Sequence, residues 1–121
     1  MPLPKLLINL TTANDNADKT TVAFVVANAG VAAGQEVTIF LSVEAVRLAT
    51  PGYADDIFAE GFKPLKELMT SFLTNGGTLW VCPPCFNARD LDKDNVVAGA
   101  TFAGGAAVVE LLGQGAASLS Y

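Results

Sequence analysis

Short apolar runs alternate with longer, helix-patterned segments along the whole of this chain, and that alternation constrains its fold more than any other feature. Lys5 to Leu10 is a continuous apolar run closed by Thr-Thr-Ala-Asn-Asp-Asn, the pattern of a strand buried on both faces. Glu36 to Leu41, centred on Val-Thr-Ile-Phe-Leu, makes a second strand, and Thr78 to Cys82 a third. Between the first two, Ala17 to Ala33 is rich in Ala and Val, with Val22, Val25, Val26 and Ala29 at helical spacing. Asn14, Asp15 and Asn16 offer caps at its start, and Gly34 closes it. Pro64 opens a helix that runs to about Leu73, with Leu65, Leu68, Met69 and Phe72 on one face, and Asn75-Gly76-Gly77 stops it. Ser42 to Thr50 reads as one or two helical turns. Residues 51–63 read as a loop, and one carrying Tyr53, Ile57, Phe58 and Phe62 is either functional or a partner surface. Beyond the third strand the pattern predicts a short helix from Pro84 to Arg89, a polar turn, a strand from Val96 to about Ala100, a helix from Gly104 to Leu112, and a last strand from Ala117 to Tyr121. Strands alternating with helices imply parallel pairing through right-handed crossovers. The expectation is one three-layer α/β domain over residues 1–121, with a mainly parallel sheet of four or five strands in an order that periodicity leaves open.

Composition narrows the function classes. The chain has 121 residues, 51% of them hydrophobic and only 16% charged, which fits a much-buried fold whose apolar excess is covered in an oligomer. A net charge of −5 with seven scattered basic residues argues against nucleic acid, because phosphate binding draws on clustered Lys and Arg. No apolar run reaches the roughly 18–20 residues of a membrane helix, and Met-Pro-Leu-Pro-Lys lacks the pattern of a signal peptide. These features set a cytoplasmic location as the expectation. There is no histidine, which excludes Ser-His, Cys-His and His-metal arrangements within one chain.

The two cysteines, Cys82 and Cys85, flank Pro83-Pro84 where the third strand turns into a helix. In a parallel α/β sheet, function gathers at the carboxyl ends of the strands. That edge holds Thr12 to Asn16, Ser42 to Glu44, and Cys82 to Cys85. A residue before proline is pushed out of the α region, so Cys82 and Pro83 are expected to be extended, with the helix starting at Pro84. Cys85 then falls in the first helical turn, where the helix dipole and open N–H groups favour a thiolate. Cys82 sits at the strand tip within reach of it. Redox or sulfur chemistry explains such a pair better than two small core residues do. A zinc site needs four ligands, typically Cys or His, so two cysteines would suffice only across a symmetric interface; no metal is expected. Arg89, four residues after Cys85, shares its helix face and either steadies a thiolate or makes a surface or interface ion pair. Glu44 and Asp15 are candidates for a proton acceptor or orienting group near the cysteines, against plainer roles as a solvated strand end and a helix cap. Trp80 points to the same face of the sheet as Cys82, where packing is its expected role. Gly104-Gly105 precedes a helix, but neither a Gly-x-Gly-x-x-Gly nor a Walker pattern is present, so no nucleotide or other cofactor is implied.

The motif is similar to the Trp-Cys-Gly-Pro-Cys of thioredoxin. In thioredoxin, however, the cysteines follow the first core strand and a cis-proline faces them. Here only 36 residues follow Cys85, and none is proline. The chain instead resembles the small DsrE/DsrF-like proteins over nearly its whole length. The resemblance runs through Ala23 to Ala29, Gly34 to Leu41, Pro64 to Leu68, Gly77 to Val81 leading into Cys82, Ala88-Arg89, and Gly99-Ala100 to Leu112. It implies a Rossmann-like α/β/α fold that assembles as trimers or hexamers. In relay members of that family, the cysteine matching Cys82 carries persulfide sulfur between a donor and an acceptor protein. Cys85 falls outside the single-cysteine pattern of those members. Arg89-Asp90 stands where they often have Arg-Gly, and Ser42-Val43-Glu44 lacks their frequent Asp-Gly. Two functions follow as expectations. One is sulfur handling or thiol redox through Cys82, with Cys85 as a resolving or tuning thiol. The other is a non-catalytic oligomeric or small-ligand-binding protein with structural cysteines.

Overall fold

A computed structural model describes residues 3–121. Its elements are β1 (Lys5–Leu10), α1 (Ala17–Ala32), β2 (Glu36–Leu41), α2 (Leu65–Thr74), β3 (Thr78–Val81), α3 (Pro83–Ala88), β4 (Ala100–Phe102), α4 (Gly105–Gly113) and β5 (Ala117–Ser120). Short 3₁₀ turns cover Asn14–Asn16, Val43–Ala49 and Tyr53–Asp56. All five strands are parallel, in the order β4-β3-β2-β1-β5. The steps from β1 to β4 all move one way across the sheet, so right-handed crossovers place α1, α2 and α3 on one face. The connection from β4 back to β5 crosses the whole sheet and puts α4 on the other. The result is the expected α/β three-layer fold.

The core lies under α1 and α2. Ile8, Leu10, Ile39, Leu41, Leu79 and Val81 alternate onto that face and meet Phe24 and Phe72. These two rings pack edge to face at 6.0 Å and 84°. Asn28 pins the two helices together, its Nδ2 donating to Leu68 O at 3.0 Å and to Phe24 O at 2.9 Å. The buried stripe of α1 is Ala23, Phe24, Ala27 and Gly30, while Val25 and Ala29 face outwards. The helix is apolar nearly all round, so spacing alone does not select a face. Small residues win because they let the helix sit close to the sheet.

The opposite face is thinly covered. Glu36, Thr38, Thr78 and Trp80 face α4 across a shallow cleft. On α4 itself only Leu111 is buried, and Val109 is 68% exposed. The loop at 51–63 is held by buried Ala54, Ile57 and Ala59, and leaves Phe58 and Phe62 in solvent. No helix among the described residues is long and apolar enough to cross a membrane.

Most ends shift by a residue or so, and two differences from expectation bear on the site. The fourth strand is Ala100–Phe102 rather than Val96–Ala100. Gly99 takes a left-handed φ of +92° and breaks the chain between Val97 and the strand. Val97 N–H instead donates to Ala49 O at 2.8 Å, tying the segment to the Val43–Ala49 turn. The helix after β3 starts at Pro83, one residue earlier than expected, with Cys82 as its cap outside the strand. The pre-proline bias disfavours α conformation at Pro83 without forbidding it. Two prolines at the first two helical positions remove N–H groups that would otherwise lack partners.

Candidate functional site

Cys82 leaves β3 with φ −68° and ψ 114°, extended as its proline neighbour requires. Its N–H donates to Leu41 O at 2.9 Å, the last link of the ladder between β2 and β3, and its carbonyl accepts from Phe86 N–H at 3.1 Å, the first turn of α3. Cys82 is therefore fixed by the sheet on one side and the helix on the other. Cys85 occupies the third helical position. Because Pro83 and Pro84 have no N–H, the Cys85 amide is the first donor the helix offers. It closes no capping hydrogen bond, yet lies near enough to the Cys82 sulfur to lower its pKa slightly. Burial is the stronger effect and pushes the Cys82 thiol above its ordinary range, helped by the adjacent Cys85 side chain. Both cysteines are half-buried free thiols.

The far end of α3 is closed as firmly as the start. Asp90 adopts a left-handed φ of +52°, and its N–H donates to Asn87 O at 3.0 Å, while Leu91 N–H reaches Phe86 O at 3.4 Å. This is a Schellman closure, with Asp in the place glycine usually takes. Phe86 is fully buried and meets Phe102 edge to face at 5.1 Å. The amino end of α4 lies alongside, since a Cβ on Gly104 would meet Pro83 Cδ at 3.9 Å.

Of the remaining predicted residues, Arg89 and Glu44 come together and Asp15 does not join them. Arg89 Nη1 donates to Cys85 O at 3.1 Å, and its Nε donates to Glu44 Oε1 at 2.8 Å. Arg47, missed in the sequence, completes the group by donating Nε to Glu44 Oε2 at 2.7 Å. Its spacing of three from Glu44 on a helical turn was the available signal. Glu44 thus bridges two guanidinium groups, and the hydrogen bonds from Arg47 and then Arg89 hold its carboxyl below the usual range against the opposing effect of burial. The cluster carries one net positive charge and anchors the backbone of Cys85. Asp15 turns its carboxylate to the Ala13 N–H at 2.7 Å, within its own turn. Val43, between Ser42 and Glu44, holds a left-handed φ of +54°, a strained conformation for a β-branched residue.

No group of three or more His, Cys, Asp or Glu among the described residues is placed to hold a metal ion. A cleft of about 530 Å³ opens elsewhere, between Leu48, Met69, Leu73 and Val97, with Asp55 and Lys66 among its walls and neither cysteine lining it.

The chain belongs to the DsrE/DsrF-like family, whose model matches residues 5–121. The fold is similar to that of the ychN protein from E. coli, with a TM-score of 0.73 and 11% identity, covering 99% of this chain and 100% of that one. MTH1491 from Methanobacterium thermoautotrophicum, a protein of unknown function, has a TM-score of 0.68 at 13% identity, with 98% and 99% covered. Among curated proteins, the uncharacterized MJ0760 from Methanocaldococcus jannaschii is 28% identical over 102 residues, or 84% of this chain. The chain spans 37% of the length of that relative.

Proposed function

We propose, with that family membership as the premise, that this protein handles sulfane sulfur through Cys82, accepting it as a persulfide and passing it on. The observation that carries this reading is the pair of free thiols, Cys82 and Cys85, held together at the junction of a central strand and a short, doubly closed helix. The family suggests a sulfur-relay-like role, and the resemblance to its relay members supports Cys82 as the sulfur-carrying cysteine. Burial raises the pKa of Cys82, and the proton it gives up on attack leaves with the donor's thiol. Arg89 holds the carbonyl of Cys85 and Glu44 positions Arg89, and with Arg47 the cluster keeps one net positive charge toward an incoming persulfide anion. Asp15 stays a distant candidate for a proton acceptor. The chemistry requires no cofactor beyond the two thiols.

A reducing cytoplasmic setting suits two half-buried free cysteines. The partners are a sulfur donor and an acceptor, with a homotrimer or hexamer as the assembly. The exposed apolar side chains Val109 and Leu112 on α4, and Leu119 on the edge strand β5, support assembly. Incubation with a low-molecular-weight persulfide followed by intact-mass measurement tests the reading. In the Cys85→Ser variant, Cys82 is expected to gain the mass of one sulfur atom. If Cys82 takes up no sulfur there, the proposal fails.

A further inference from the structure

Sulfur acceptance uses one thiol, and the site holds two. A relay needs a single cysteine that keeps its sulfur until an acceptor arrives. Here a second thiol stands one helical turn from the first, at the capping and third positions of α3. The turn is already closed, with Phe86 N–H on Cys82 O at 3.1 Å. Cys85 is also fixed from outside the helix, through the Arg89 bond to its carbonyl and the Glu44 bridge behind it. Nothing has to move far for one sulfur to reach the other.

We propose that Cys85 resolves the Cys82 persulfide within the same chain, so that the protein releases its sulfur as hydrogen sulfide instead of storing it. This rests on persulfide formation at Cys82. In the first step, Cys82 attacks the outer sulfur of a low-molecular-weight persulfide. A new sulfur–sulfur bond forms on Cys82, the donor's sulfur–sulfur bond breaks, and the donor leaves as its thiol with the proton that Cys82 loses. In the second step, the Cys85 thiolate attacks the Cys82 Sγ. The Cys82–Cys85 disulfide forms, the bond to the outer sulfur breaks, and that sulfur leaves with the bonding pair as hydrosulfide. It takes up the proton lost by Cys85 and departs as hydrogen sulfide. The sulfane sulfur is reduced by two electrons and the two cysteines are oxidised by two, so one round needs no outside oxidant or reductant. A further round needs a dithiol reductant to reopen the disulfide. The activity is that of a dithiol persulfide reductase.

The outer sulfur departs as a small, stable leaving group, which favours the intramolecular attack. An intramolecular nucleophile at fixed short range also outcompetes an acceptor protein arriving by diffusion. Sulfide release through Cys85 therefore precedes transfer unless an acceptor is already docked when Cys82 takes up its sulfur.

The test uses the whole reduced protein, freed of reductant, with glutathione persulfide as the probe. Sulfide release is measured and the protein is trapped by alkylation for intact-mass analysis. The expected result is one sulfide released per chain and loss of two hydrogens as the disulfide closes. Cys85→Ser and Cys85→Ala are both expected to accumulate the persulfide and to release no more sulfide than a chain lacking both cysteines. Two substitutions guard against misfolding of either, and circular dichroism checks each. A parent protein that accumulates the same stable persulfide as the variants, or a mixed disulfide with glutathione, overturns cis resolution while leaving sulfur acceptance standing. If neither the parent nor the variants gain sulfur, the acceptance reading fails and this inference fails with it.

Discussion

Gly77, the residue that leads into β3, is the position where a single methyl group should do most damage. A Cβ built there would lie 2.3 Å from Cε1, 2.4 Å from Cζ and 2.5 Å from Cδ1 of Phe72. Ordinary contact starts near 3.4 Å, so the ring would have to retreat by roughly 1 Å. Phe72 is fully buried, and its way back is blocked by Phe24, which it meets edge on. The φ of Gly77 lies outside the left-handed region, so alanine itself gains about 0.4–1 kcal/mol from a less flexible unfolded chain. Against that stand about 2–3 kcal/mol of overpacking and up to about 1 kcal/mol of lost aromatic geometry. Gly77→Ala is therefore expected to cost about 2–3 kcal/mol. That corresponds to a drop in Tm of about 8–12 °C at roughly 4 °C per kcal/mol for a domain of this size. The assay is thermal and urea unfolding followed by far-UV circular dichroism at one fixed protein concentration, because assembly would shift the midpoint. Gly105→Ala is the matched control, since a Cβ there meets nothing within 4 Å, and it should stabilise by about 0.5–1 kcal/mol. Placing Gly77→Ala in a Phe72→Leu background should recover at least about 1 kcal/mol. If Gly77→Ala and Gly105→Ala shift Tm alike, or Phe72→Leu recovers nothing, the ring is not what excludes a side chain at Gly77.

Two further outcomes follow from the rim of the site. Val43→Gly relieves a left-handed β-branched residue, a gain of about 1–2 kcal/mol, and adds about 0.5–1 kcal/mol of chain entropy cost. Urea unfolding should therefore show it as stable as the parent or up to about 1.5 kcal/mol more so, and above Val43→Ala, which keeps its Cβ; a Gly variant below the Ala variant would refute the strain. Glu44 has a lowered folded pKa, so its contribution is fully present above its unfolded pKa and is lost as pH falls through the folded value. Unfolding curves of Glu44→Gln should lie about 1 kcal/mol or less below the parent at pH ~7 and begin to converge on it as pH falls below ~4, whereas a constant gap at every pH would mean that the carboxylate charge is not involved.

The parts of this molecule legible in its sequence are those where local pattern and tertiary role coincide. β1, β2 and β3 are apolar runs because the sheet is covered on both faces over its middle, and α2 carries its core side chains on one stripe. The cysteine pair was legible because proline restricts its neighbours before any tertiary contact forms. β4 was not, because Val96 and Val97 carry the strand-like composition while the strand itself is Ala100–Phe102, a short edge segment beyond the turn at Gly99. The bond between Arg89 and Glu44 joins residues 45 positions apart. It exists only because the Val43–Ala49 turn and α3 stand beside each other at the carboxyl edge, which follows from strand order and not from any local signal. Arg47 was hidden behind the same dependence.

The closure of α3 at both ends has a kinetic side. An isolated helix of six residues would spend most of its time frayed, and two thiols on it would meet only by chance. Here two prolines fix the first turn and the Asp90–Leu91 closure fixes the last, so the effective molarity of one thiol at the other is a property of the folded state. The ordering cost is met once, when the domain folds, and not again at each encounter between the sulfurs. That effective molarity should then hold nearly constant with rising temperature and denaturant, and collapse in a single step when the sheet gives way.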